Sequence, residues 1–233
     1  MRPSRGAVGA AAVLCLAAGS CLATEDPGRP AAPRLEFVPL PPGSYTLQKI
    51  QRVADAVLLD SAGRNVRLAA LTRGKITLLT FFYTYCADPL GCPFAHTTLA
   101  ALRDSVRRDR DLAGRVRFLS VSLDPTHDTP AAIATYATEF DVDPGFEWRF
   151  LTAHSVPRLL PVLDDFGQDV SVDLDQHGRA TRTMHHMLKM FLIDTHGEVR
   201  EIYTLAFIQP PVILNDIKTL ALETGRPAAG NRR

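Results

Sequence analysis

The sequence predicts an α/β fold, a two-layer or three-layer sandwich, and three observations carry that expectation. Two runs, KITLLTFFY at 75–83 and VRFLSVSL at 116–123, are β-branched, aromatic and nearly continuous in apolar character, as strands covered on both faces are. Each is followed by apolar residues at helical spacing: Leu99, Leu102 and Val106 after the first, then Ile133, Tyr136, Ala137 and Phe140 after the second. Near the end, runs at 187–193 and 198–205 joined by DTHG read as a hairpin, and 212–222 as a final helix. Alternating strands and helices with a late hairpin belong to a layered α/β domain.

Before the domain, Arg2 and Arg5 precede an Ala-rich apolar stretch at 7–18. That is too short for a comfortable membrane span and has the proportions of an export signal. AAGSC at 17–21 resembles a bacterial lipoprotein signal, in which Cys21 becomes the lipidated first residue. A plainly cleaved signal or a short retained anchor are the alternatives. Loss of residues 1–20 removes two arginines and no acid, taking the formal charge from +1 to about −1. Residues 21–44, rich in Pro, Ala and Gly, read as a flexible tether. The folded domain is expected over 45–225, with 226–233 as a tail.

Within the domain, 53–59 reads as a strand and SAGRN at 61–65 as a turn. Pro93 suits the first turn of a helix, where its missing N–H is not needed. DPTHDTP leads into another helix with Thr129 as cap and Pro130 at its first position. Residues 148–151 form a short strand candidate. Residues 155–166 are ambiguous, because Pro157 and Pro161 cannot both sit early in one ordinary helix.

The near-zero charge offers no electrostatic basis for binding nucleic acid, and the run RDSVRRDRD at 103–111 reads as a solvated helix face. There is no nucleophile elbow, P-loop, dinucleotide fingerprint or zinc-protease helix. Cysteine usage is more informative. Of four cysteines, Cys15 lies in the signal and Cys21 at its boundary, so only Cys86 and Cys92 remain in the domain. Pro89 and Gly91 in the five-residue loop between them allow both sulfurs to point to one place. The helix beginning near Pro93 favours a thiolate at Cys92. An inert disulfide, a redox pair and part of a metal site all fit this spacing.

TMHHMLKMFLID at 183–194 holds every methionine except the initiator, Met184, Met187 and Met190, and two adjacent histidines. On a strand, His185 and His186 face opposite sides. One imidazole near two thiolates is a set that suits Cu(I) or zinc. The methionines read as core filler. Asp124, at the end of the second buried run, either supports the cysteine loop or holds its own turn. Asp128 reads as helping to start the next helix. His127 reads as an exposed loop residue, and His96, His154, His177 and His196 as surface residues.

Taken in order, KITLLTFFYTYC, CPF, SVSLDPTHDTP and HMLKMFLIDTHGEV resemble the Sco/SenC family, thioredoxin-like copper proteins that serve assembly of the CuA centre of cytochrome c oxidase. The resemblance spans roughly 45–225. It implies a thioredoxin-like sandwich with a central mixed sheet flanked by helices. It also implies copper, as Cu(I) or Cu(II), on Cys86, Cys92 and His186, with Asp124 in support and Asp128 matching the later acid of the same segment. The distance to FLID selects His186 over His185. The family pair is C-x-x-x-C, so this loop carries two additional residues, and Met187 stands where a small polar residue is common.

The resemblance implies a copper chaperone outside the cytoplasmic membrane; the family commonly uses a transmembrane anchor, whereas the AAGSC signal of this chain points to a lipid tether. Its partners would be an apo copper enzyme subunit, such as the CuA subunit of the oxidase, and an upstream copper donor or thiol reductant. A thiol–disulfide oxidoreductase needs Cys86 and Cys92 as catalytic groups but not His186. A thioredoxin-like interaction module with a structural disulfide needs neither copper nor His186.

Overall fold

The computed structural model describes residues 37–140 and 145–225. The export signal, Cys15, Cys21, the tether up to residue 36 and the 226–233 tail lie outside them. The strands are β1 (Gln51–Arg52), β2 (Val57–Asp60), β3 (Asn65–Arg67), β4 (Ile76–Phe82), β5 (Val116–Ser122), β6 (Trp148–Thr152), β7 (Val170–Leu174), β8 (Ala180–His186), β9 (Lys189–Ile193) and β10 (Glu198–Thr204). The helices are α1 (Leu68–Leu71), α2 (Cys92–Arg108), α3 (Pro130–Ala137), α4 (Val156–Asp165) and α5 (Pro210–Gly225).

The two apolar runs form the centre of the main sheet. Every residue of β4 and β5 is buried, and they pair in parallel, Ile76 opposite Val116 through Phe82 opposite Ser122. The order is β1-β10-β9-β4-β5-β6-β2-β3. Only the β4–β5 and β5–β6 pairs are parallel; the outer ones are antiparallel, so the sheet is mixed.

Because successive strand residues face opposite sides, Phe81 and Phe82 seed two cores. Phe81 meets Phe166 and Phe191, with ring centroids at 5.6 and 6.2 Å. Phe82 meets Tyr136, Phe150 and His96 at 5.2 to 5.5 Å. His96, expected on the surface, is 0 % exposed. Tyr136 Oη lies 3.0 Å from its Nδ1 and Ser120 Oγ 3.5 Å from its Nε2, and Ser120 Oγ also accepts from Trp148 Nε1 at 3.1 Å. Its place one turn after Cys92 and just before Leu99 puts it on the inner face of α2.

Thr129 caps α3 by accepting from Ala132 N, with Pro130 in the first turn. Residues 155–166 resolve into one helix, α4, that contains both prolines. Pro157 sits in the first turn, where no N–H is required. Pro161 forfeits a bond to the Pro157 carbonyl, but both residues are exposed, so water can satisfy that oxygen. Leu159, Val162 and Leu163 hold the helix down.

Among the described residues, strands β7 and β8 pair only with each other, Val170 opposite His186 and Val172 opposite Met184. This hairpin was not expected from the sequence. Met187 and Leu188 then lead into β9, which is two residues shorter than the predicted run. Part of the segment read as tether is docked. Leu40 O accepts from Asn215 Nδ2 at 2.9 Å and Gly43 N donates to Thr219 Oγ1 at 3.0 Å, both on α5. Gly43 has φ +76°, and a Cβ there would meet Leu222 Cδ1 at 2.9 Å, so only glycine suits this approach.

Candidate metal centre

The chain leaves the C-terminal end of β4 through Tyr83, Thr84 and Tyr85 and reaches Cys86. The segment after β5 runs alongside, from Ser122 to Asp128. Sites in open α/β sheets collect at these strand ends. Two carboxylates brace the approach to Cys86. Asp128, 0 % exposed, accepts from Thr84 N at 3.2 Å and from the Thr84 and Ser122 hydroxyls, each at 2.5 Å. It therefore ties the two strand ends together, whereas the sequence reading had it starting α3. Burial outweighs those hydrogen bonds and holds its carboxyl above the usual range.

Asp124 accepts from the Tyr85 hydroxyl and from Thr126 N at 3.0 Å, and pairs with His127 Nδ1 at 2.5 Å. Burial pushes this carboxyl up, but the bonds from Tyr85 and His127 prevail and hold it below the ordinary range. His127 is thus exposed on one side yet engaged with Asp124. Arg182 lies over the Tyr85 ring at 4.2 Å. Asp124 grips the residue immediately before Cys86.

Cys86 and Cys92 are both free thiols. The loop between them is drawn tight: Cys86 N donates to Tyr83 O at 3.2 Å, Gly91 N to Asp88 O at 2.9 Å, and Leu90 N to Asp88 Oδ1 at 3.0 Å. A Cβ on Gly91 would stand 3.2 Å from Cys86 Sγ, so glycine here lets the loop backbone approach the sulfur. Cys92 opens α2 and is 0 % exposed; Gly91 supplies no side-chain cap. The hydrogen bond from the Cys92 thiol is the leading influence on Cys86. With the Cys92 and Asp88 N–H groups and the Tyr83 hydroxyl, it outweighs burial and brings the Cys86 thiol from 9.0 down to about 5. The same pairing, then burial, pushes Cys92 well up. The thiolate favoured by the helix N-terminus is therefore Cys86 rather than Cys92 as expected.

His186 ends β8 and faces the same cavity as Cys86, a space of about 750 Å³ also lined by Tyr83, Met184 and Met187. Its ring stands edge-on to Tyr83 at 6.1 Å, and its Nδ1 lies 3.3 Å from Met187 O. That contact is a hydrogen bond when the proton is on Nδ1, which leaves the Nε2 lone pair free. Burial lowers its basicity below the ordinary value, partly offset by the Met187 carbonyl and the Cys86 thiolate. His185 also lines the cavity, and its Nε2 pairs with Asp173 at 2.8 Å. Among the described residues, no three His, Cys, Asp or Glu side chains are gathered closely enough to hold a metal ion. Cys86 is thus brought to Cys92 on one side and to the His186 cavity on the other, with the three-ligand set not closed.

Sequence reasoning missed Tyr83 and Tyr85, which flank the cysteine loop, and treated the methionines alike. Met190 is core filler, whereas Met184 and Met187 line the cavity. The alternation of β8 carries a signal for Met184, two residues from His186 and so on the same face.

Residues 47–222 match the SCO1/SenC family profile. The chain belongs to the SCO1/SenC family. Comparison with curated protein sequences gives no match. Among solved structures, this Sco/SenC chain is similar to Bradyrhizobium japonicum ScoI with copper bound, at 25 % identity and TM-score 0.58 over 72 % of this chain and 98 % of that one. It is similar in fold to a SCO1/SenC family lipoprotein from Bacillus anthracis, at 24 % identity and TM-score 0.61 over 73 % and 95 %. Yeast Sco1 with copper bound gives 16 % identity and TM-score 0.62 over 77 % and 92 %. The mixed sheet with flanking helices is the thioredoxin-like sandwich that the resemblance implied. No helix among the described residues is long and apolar enough to cross a membrane.

Proposed function

We propose that this Sco/SenC protein receives one copper ion on Cys86, Cys92 and His186 and passes it to an apo copper enzyme, the CuA subunit of cytochrome c oxidase. Copper here is cargo. The observation that carries the reading is that Cys86 and His186 line one open cavity, with Cys92 buried at the start of α2 at the end of the same short loop. Two soft sulfurs and one imidazole form a donor set suited to Cu(I). The imidazole moves toward Cys86 to complete it, and Asp124, through Tyr85, holds the cysteine loop against that motion. Release follows by stepwise exchange with ligands of the recipient. The chain works outside the cytoplasmic membrane, tethered through lipid on Cys21, and is loaded by an upstream copper donor after a thiol reductant has kept both cysteines reduced.

Anaerobic competition titration of the reduced protein with Cu(I) tests this. We expect one tight copper per chain, weakened about tenfold or more by His186→Ala, or about 1.4 kcal/mol. Absence of specific uptake refutes the chaperone reading, and unchanged affinity in His186→Ala removes that residue from the site.

A second reading, a dithiol oxidoreductase, is favoured by the asymmetry of the pair: a half-exposed thiolate at Cys86 before a buried thiol at Cys92. Cys86 attacks a partner disulfide and releases one partner thiolate. Cys92 then loses its proton and attacks the Cys86 sulfur, releasing the second and leaving a Cys86–Cys92 disulfide. This activity survives His186→Ala; copper binding by three ligands does not.

A further inference from the structure

Met184, Met187 and Met190 fall within seven residues, and the structure divides them. Met190 is fully buried in β9, where packing accounts for it. Met187, just after β8, is 60 % exposed. Met184 is half-buried, and both line the cavity into which Cys86 and His186 open. The Met184 sulfur lies 3.7 Å from the Tyr85 hydroxyl, and its carbonyl oxygen lies 3.4 Å from the Tyr83 hydroxyl oxygen. The two aromatic residues leading to Cys86 therefore hold Met184 beside the cysteine loop. Cys92, fully buried at the start of α2, does not line this cavity. Cys86, His185, His186, Met184 and Met187 line this space together with the Asp88 and Asp169 carboxylates, so its soft donors are one thiol, two imidazoles and two thioethers, and Cys92 lies behind them.

We propose that Met184 and Met187, together with Cys86, form a capture site for Cu(I) on the cavity rim that holds the ion before Cys92 engages it. The proposal rests on the copper reading above and adds the oxidation state received and the order in which ligands take hold. Thioether sulfur is soft, uncharged and has no proton to lose, so it selects Cu(I) over Cu(II). In the inward step the thioether–copper bonds break, the Cys92 S–H bond gives its proton to solvent, and a copper–sulfur bond to Cys92 forms. Copper stays Cu(I), and no electron moves.

The test uses reduced full-length protein carrying ¹³C-methyl methionine, titrated anaerobically with Cu(I) supplied as its acetonitrile complex. In Cys92→Ser, where the inward step is blocked, the Met184 and Met187 methyl resonances shift with the first equivalent while Met190 stays still. In the double variant Met184→Leu/Met187→Leu, with both cysteines intact, stopped-flow uptake of Cu(I) slows about fivefold or more. Unmoved Met184 and Met187 signals, with copper still bound tightly by the unaltered protein, overturn the capture site and leave the three-ligand site standing. Failure of the unaltered protein to take copper overturns both. If Cys92→Ser does not fold, the stopped-flow rate decides, and an unchanged rate refutes the proposal.

Discussion

Replacing Cys92 with alanine removes the leading influence on the Cys86 sulfur while leaving Cys86 in place. With its thiol at about 5, Cys86 at pH 7 is about 99 % thiolate, against about 1 % for a thiol at 9. The half-exposed sulfur is therefore nearly all in its reactive and ligating form, and its alkylation rate is flat above about pH 6. In Cys92→Ala the Cys92 and Asp88 N–H groups and the Tyr83 hydroxyl remain, so the midpoint rises without reverting fully. Thiolate absorbance at 240 nm, followed from pH 4 to 10 in reduced protein carrying Cys15→Ser and Cys21→Ser, reads this directly. The expected trace shows one thiolate complete by neutrality and no second step within the range, because Cys92 retains its proton. The linkage has a definite sign. A folded value below the unfolded one gives stability that is fully present above the unfolded value and is lost as pH falls through about 5. Cys86→Ser flattens that part of the stability curve. Two thiols titrating together near pH 8 to 9, or an unchanged midpoint in Cys92→Ala, would refute the hydrogen-bond argument.

Asp128→Ala leaves the Thr84 N–H and the buried Ser122 hydroxyl without their acceptor, at about 1–3 kcal/mol each, so urea unfolding should show a loss of about 2–6 kcal/mol. Asp128→Asn keeps one acceptor oxygen and loses less. Because the folded carboxyl is raised, its contribution is greatest below the unfolded value and declines as pH rises through the folded one; Asp128→Asn removes that decline. Burial alone brings His96 from 6.5 down to about 3. Its ring ¹⁵N resonances should therefore stay those of a neutral imidazole down to pH 4, and a titration near pH 6.5 would contradict its burial.

What could be read from the sequence was whatever local pattern determines. Strands β4 and β5 announce themselves because both faces are covered and every position must be apolar. The β7–β8 hairpin does not, because it pairs only with itself and buries little on either side. Its alternation of threonine, arginine, histidine and aspartate looks like loop. The α4 prolines misled because local rules count the lost hydrogen bond but not the solvent that replaces it. At the site, Cys86, Cys92, His186 and Asp124 were legible as residue types at telling positions. The division of labour between the cysteines was not. The helix start is visible in CPF, but which sulfur its N–H meets depends on how Gly91 folds the loop. Asp128 was misread for a related reason, since its partners Thr84 and Ser122 come from two different strands.

The placement of Trp148 has an optical consequence. It is the only tryptophan in the chain, and its indole lies 6.0 Å from the His96 ring, one helical turn behind Cys92. Through Ser120 it shares a hydrogen-bonded path with that ring. Its ultraviolet emission therefore comes from one address, the packed floor beneath the cysteine helix. Any event at the two sulfurs that shifts the first turn of α2 alters the brightness of a single native fluorophore, without a label and without touching the cavity itself.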